Sequence, residues 1–143
     1  MVGQNLTVII LQDLIGVNKI TNSSSDGTLH KWDLSSGVGT VAAAVSNAPS
    51  SVNGVVVHQD SGITVCYGAH DGSADAPMRV AWTDINELTD WTPTLDNFAG
   101  AQELHGGNLL LAGIRTKGQI LLFSDTTVFS MTFVGPPDIF QFQ

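Results

Sequence analysis

The chain has 143 residues, 43% hydrophobic and only 13% charged, with five Lys and Arg against thirteen Asp and Glu for a net charge of −8. That length suits one domain burying about two-thirds of its unfolded surface, and the charge argues against a nucleic-acid interface: phosphates are neutralised by Lys and Arg, and Arg79, Arg115 and Lys117 are scattered. One cysteine, Cys66, rules out an internal disulfide framework, and no apolar run reaches the roughly 18 residues of a membrane helix.

In chain order, the opening stretch to Ile20 is apolar. It has no basic residue ahead of it and no small-residue cleavage site, so it is a poor signal peptide. Strand-like runs rich in Val, Ile, Leu or aromatics follow one another at Thr7–Leu11, Gly54–His58, Ile63–Tyr67, Arg79–Thr83, Leu109–Ala112, Gln119–Ser124 and Thr127–Val134. The connectors Ser23–Gly27, Gln59–Gly62, Ala69–Pro77 and Arg115–Gly118 carry the Gly, Asp and Ser chemistry of hairpin turns. A single helical turn is expected over Ile85–Trp91, with Asp84 as N-cap and Glu87 three residues on. A last strand, Asp138–Gln143, follows the turn Gly135-Pro136-Pro137. The class is all-β, an antiparallel meander. Fifteen glycines and few charges fit many short strands with poorly guarded edges, because lysines are a main defence of strand edges.

A loose internal repeat runs through the chain. Asn5-Leu-Thr-Val, Asn53-Gly-Val-Val and Asn108-Leu-Leu-Leu each open an apolar strand, 48 and then 55 residues apart. In each unit a third strand carries an aromatic, at His30-Lys-Trp-Asp, Val80-Ala-Trp-Thr-Asp and Val128-Phe-Ser-Met. Four antiparallel strands every 40 to 55 residues are the period of propeller blades. The reading is a single β domain over 1–143, a partial one if more chain completes it, with about three blades at 1–49, 50–105 and 106–143. Propellers close with about four to eight blades, so three make an incomplete one that needs further chain, further copies or another packing.

The chemistry-bearing candidates are weak. Cys66 lies in an alternating strand with no activating base beside it in sequence, which fits a buried inert thiol. Asp71 and Asp75 sit in a Gly-containing loop but do not follow the calcium-loop pattern. The four histidines are too far apart for local zinc spacing. Ser24-Ser25-Asp26-Gly27-Thr28 approaches the Asp-box of propeller glycosidases, Ser-x-Asp-x-Gly-x-Thr-Trp, but lacks the residue between Asp and Gly and has Leu29 in place of the aromatic. No catalytic residue, cofactor or metal ligand is assigned. Trp32, Trp82 and Trp91 are expected to pack as core, the usual place of Trp in β structure.

From about Asn22 to the end, the order of motifs resembles the propeller-bearing virion proteins of tailed bacteriophages, those of the short-tail nozzle or head-to-tail region. The residues that carry the likeness are Asp26–Asp33, Pro49–Asn53, Gly68–Asp75, Val80-Ala-Trp-Thr-Asp, Thr89-Asp-Trp-Thr-Pro, Asn97-Phe-Ala-Gly, Ile120-Leu-Leu-Phe-Ser-Asp and Phe133-Val-Gly-Pro-Pro. Members of that family are typically several times longer, so the resemblance implies that this chain corresponds to a piece of one. It also implies a non-enzymatic component of the virion that forms homo-oligomeric rings and contacts other tail or head-to-tail proteins, with no membrane and no sequence-specific nucleic acid as partner. On this reading Trp82 and Trp91 anchor a blade, Asp84 and Asp90 organise its turn, and Asn97–Gly100 makes the crossing between strands. Gly135, Pro136 and Pro137 form a rigid corner that aims the final strand, with Phe140, into a neighbour by strand addition. The alternative is a propeller-type carbohydrate-binding or glycan-cleaving module of a phage tail, which predicts an exposed Trp91 beside clustered Asp residues.

Overall fold

The computed structural model describes residues 4–8, 13–18, 27–33, 35, 37–58, 60–70, 72 and 76–143. Among the described residues twelve strands form three four-stranded antiparallel sheets, and in each the spatial order of strands follows their order in the chain. Sheet 1 contains β1 (Gln4–Val8), β2 (Asp13–Asn18), β3 (Leu29–Asp33) and β4 (Ala43–Ala44). Sheet 2 contains β5 (Gly54–His58), β6 (Ile63–Tyr67), β7 (Arg79–Trp82) and β8 (Gly100–Glu103). Sheet 3 contains β9 (Leu110–Thr116), β10 (Gln119–Ser124), β11 (Val128–Gly135) and β12 (Ile139–Phe142). The protein is all-β.

Sheet 2 is the middle layer, and its sequence shows why. A strand covered on one face alternates apolar and polar residues, whereas one covered on both reads as a continuous apolar run. All five residues of β5, GVVVH, are buried. Val56, Ile63, Val65, Val80 and Trp82 pack against Leu110, Ile120, Leu122, Met131 and Phe140 of sheet 3. Val55, Cys66 and Ala81, on the alternate positions, pack with Leu29 of sheet 1 and with Val52, Ala69 and Trp91.

The sheets fan out from their first strands. Among the described residues, the main close backbone approaches between sheets all involve β5 or β9. Glycines at the narrow end make this approach possible. Tyr67, at the end of β6, lies across its antiparallel partner Gly54, where a Cβ would run into the Tyr67 hydroxyl. The same ring reaches β9, where a Cβ on Gly113 would stand 2.8 Å from it. Asn53 Nδ2 donates to the Leu110 carbonyl (3.1 Å) and ties the starts of β5 and β9 together. Toward the wide end the space is filled by rings. Phe140 meets Trp82, Phe133 and His58 edge-on at centroid separations of 5.3, 5.6 and 5.9 Å, contacts each worth about 0.5–1.5 kcal/mol beyond area burial.

Several expectations are corrected. The last strand does not carry Phe140 into a neighbour: β12 pairs with β11 as the edge strand of its own sheet, and Phe140 is buried in this chain's own core. Once the strand turns back beside β11, its alternate side chains have Trp82 and Phe133 to cover them. No helical turn forms over Ile85–Trp91. Asp84 instead bridges to Glu87 in a tight turn, because the Asp84 carboxylate is taken by the Phe98 N–H rather than by a helix start. Gly100 is not part of a crossing but opens β8, opposite Trp82, whose indole occupies the space a side chain there would need. Strand β9 runs to Thr116, so the turn before β10 shrinks to Lys117-Gly118, with Gly118 at φ +81°. The Ser24–Asp26 segment and the Asp71 and Asp75 positions lie outside the described residues.

The glycine–tyrosine contact gives the first prediction. Gly54→Ala should destabilise the protein by about 1–3 kcal/mol through overpacking, measured by urea unfolding. Combined with Tyr67→Ala, it should cost much less than the sum of the two single changes, as for residues in direct contact. Additive effects would show that Gly54 and Tyr67 do not pack against one another as described.

Candidate functional site

The residues singled out from sequence gather in two places. The first is the loop between β7 and β8, closed on itself by its own polar groups. Asp84 Oδ1 accepts from the Phe98 N–H (2.9 Å), and the Asp84 N–H donates to the Asp90 carbonyl (3.1 Å). Asn97 Nδ2 donates to Asp90 Oδ2 (3.0 Å) and to the Thr92 carbonyl (2.8 Å), while its Oδ1 accepts from the Thr94 N–H (2.9 Å). Both indoles, Trp82 just before the loop and Trp91 at its middle, are committed: Trp82 Nε1 donates to the Phe98 carbonyl (2.8 Å) and Trp91 Nε1 to the Leu88 carbonyl (2.7 Å). Asp84, Asp90, Trp91 and Asn97 are thus brought together as a folded lobe whose carboxylates answer main-chain and amide donors. Loops of this length lack a ladder to satisfy their backbone groups, and side-chain acceptors at Asx positions supply the substitute.

Trp32 is placed differently. Leu29 points at sheet 2, so by strand alternation Trp32, three residues on, points away from it. Its Nε1 is buried and has no acceptor among the described residues. Gly135, Pro136 and Pro137 form the β11–β12 turn at the rim of sheet 3, and the Pro136–Pro137 bond is cis.

The second gathering was missed from sequence. Ile120, Leu122, Phe129, Met131 and Phe133 face the core, which leaves Ile114, Leu121, Phe123, Val128 and Val134 on the opposite face of sheet 3 by alternation and register. Leu111 joins them at the bulge between β9 and β10. Ile114 is 53% exposed, Val128 51% and Val134 49%. The signal was present in β10, whose run ILLF is apolar on both alternations, as a strand covered on one face only would not be.

Thiol chemistry finds little support at Cys66. Cys66 is wholly buried, and burial pushes its thiol far up from its ordinary range, so thiolate chemistry has no footing there. No group of three His, Cys, Asp or Glu among the described residues is arranged to hold a metal ion. A cleft of about 410 Å³ is walled by Trp91, Arg79, Asn47 and Pro93. Another, of about 450 Å³, lies between His58 and Asp60 on one side and Arg115 and Lys117 on the other. Asp125 is held below the usual carboxylate range by the Asn108 N–H (2.8 Å) and side-chain amide (2.7 Å), which pin the entry to β9.

No protein-family model matches the chain, and neither does any curated protein or any solved structure.

His58 offers a pH test. Burial lowers its pKa below the ordinary 6.5, with Asp60 opposing the shift, and its Nδ1 pairs with Ser61 Oγ (2.8 Å). Below pH 6.5 the unfolded chain takes up a proton that the folded chain resists, so stability is full above that value and falls as pH drops from 6.5 toward the folded pKa. Urea midpoints between pH 5 and 7.5 should show this slope, and His58→Asn should flatten it. An indole test accompanies it: Trp91→Ala should lower stability by about 3–5 kcal/mol, as truncation of a buried Trp does, with the loss read from the urea midpoint.

Proposed function

We propose that this chain is a non-enzymatic structural component of a tailed-phage particle. Its three sheets are consecutive blades of a β-propeller, and they act by assembly with copies of the chain and with neighbouring tail or head-to-tail proteins in the virion. One observation carries the reading. The blades fan from glycine-lined first strands and leave Ile114, Leu121, Phe123, Val128 and Val134 together on the outward face of sheet 3. A face of that kind on a soluble protein marks an interaction site.

Three features support it. Strand number and order in each sheet are those of a propeller blade. The aromatic-bearing third strands of the repeat are β3, β7 and β11, the same position in all three sheets. The polar side chains of the β7–β8 lobe are spent on the lobe itself, which suits packing and assembly better than catalysis. The phage assignment rests on the order of motifs from Asn22 onward and on nothing else.

The rival, a carbohydrate-binding module, has one observation in its favour, the cleft beside Trp91. A sugar platform needs an open indole face, however, and Trp91 is only 9% exposed with its N–H already engaged.

Molar mass by light scattering over a concentration series separates the two. A discrete oligomer that grows in population with concentration is expected. A monomer at every concentration, retained on immobilised glycans and released by Trp91→Ala without loss of fold, would replace assembly with glycan recognition.

A further inference from the structure

The outward face of sheet 3 divides into an apolar corner and a polar border. Ile114 lies opposite Leu121 and Phe123 opposite Val128, with Leu111 beside them at the bulge, so these five side chains form one corner. Along the border, Gln119 lies opposite Thr116 and Thr132, and Thr132 in turn opposite Gln141. Ser130 stands between corner and border and donates to Gln119 Oε1 (2.7 Å). None of these side chains is charged, in a chain with thirteen Asp and Glu and five Lys and Arg. The one charge within the four strands, Arg115, is opposite the core residue Ile120 and therefore on the inner face. Lys117, Asp125 and Asp138 sit in the turns beyond.

The charge of the chain limits what can cover such a face. Two copies at −8 each repel one another, and like charges set opposite across an interface are strongly unfavourable. A patch that pairs with its own copy must therefore be free of charge, as this one is. A two-fold contact sets a patch against itself, so its polar groups must also pair like with like. Hydroxyls and primary amides both donate and accept, and Gln119, Ser130, Thr132 and Gln141 can each bond to their own kind. A carboxylate or an ammonium could not. An apolar centre with a polar rim is the anatomy of a protein interface. A partner with a different surface would be steered and held in register by charges, and this face offers none.

Resting on the assembly reading above, we propose that the occupant of this face is the same face of a second copy. Two chains pack sheet 3 on sheet 3 about a two-fold axis through the apolar corner, at the spacing of about 10 Å found between stacked sheets. The half-exposed Ile114 and Val128 of each copy are covered by the other. The area sets the strength of the pair. Four strands about 4.8 Å apart and about 20 Å long present about 400 Å², so the contact buries about 800 Å². That is below the roughly 1,200–2,000 Å² of a tight complex, which makes this a reversible pair that forms as concentration rises.

Charge placed on the face tests the pairing. Molar mass by light scattering is followed from about 1 μM to about 1 mM for the wild type, for Ile114→Lys, for Ile114→Glu and for an equimolar mixture of the two variants. Far-UV circular dichroism checks the fold of each. The expected result is a wild-type mass that rises from one copy toward two and a one-copy mass for each variant alone. The mixture should return toward two copies, because lysine on one face then meets glutamate on the other. Val128→Thr keeps β propensity in case charge at position 114 disturbs folding. It should raise the dissociation constant by about tenfold or more, since each change appears twice in a two-fold contact. A wild type that is monomeric throughout would overturn the assembly reading and this proposal together. An oligomer that all three variants leave intact would keep assembly and overturn the choice of this face. An oligomer broken by the charges and not restored by mixing would show that the face meets a different surface, and would overturn the like-on-like pair.

Discussion

The structure depends on how closely β5 and β9 approach one another. Two sheets can fan from a common edge only if side chains near that edge are small, and here the approach is set by Tyr67 lying flat between Gly54 and Gly113. The tyrosine fills what the two glycines leave empty and is desolvated in doing so, which raises its pKa while the Gly113 N–H opposes the shift. Given that spacing, the wide end of the wedge has to be filled by large rings, and Trp82, Phe133, Phe140 and Phe142 fill it. Everything outward of Tyr67 follows from the angle it sets.

Polar groups follow the same division. Near the first strands they join one sheet to the next, as Asn53 does with Leu110. Away from them they fold loops back on themselves, as Asp84, Asp90 and Asn97 do. A loop so internally satisfied can stand against solvent without a partner, whereas an apolar sheet face cannot. That contrast is why the proposed assembly surface lies on sheet 3 and not on the tryptophan-bearing lobe.

Much of the fold was legible in the residues, for identifiable reasons. Strands β5, β6 and β10 are read with their bounds because burial demands unbroken runs of Val, Ile and Leu between turn residues. Strand β8, GAQE, was invisible: three of its four side chains are exposed, and its glycine is dictated by Trp82 across the sheet rather than by any local preference. Strand β4 is two alanines and carries no pattern at all. The role of Tyr67 was hidden because the glycines that need it lie 13 and 46 positions away in the numbering. Only the register of β5 with β6, and the approach of β9, brings them together.

Cys66 has a use that its chemistry alone would not suggest. It is the protein's single thiol, and it sits in the second strand of the middle sheet, sealed by Leu29, Val55 and Ala81. A thiol reagent can reach it only when that sheet comes apart from its neighbour, so the speed at which it is labelled in the native protein counts openings of the centre of the stack. Nature has left one clock in this molecule, and it is mounted where the layers are hardest to part.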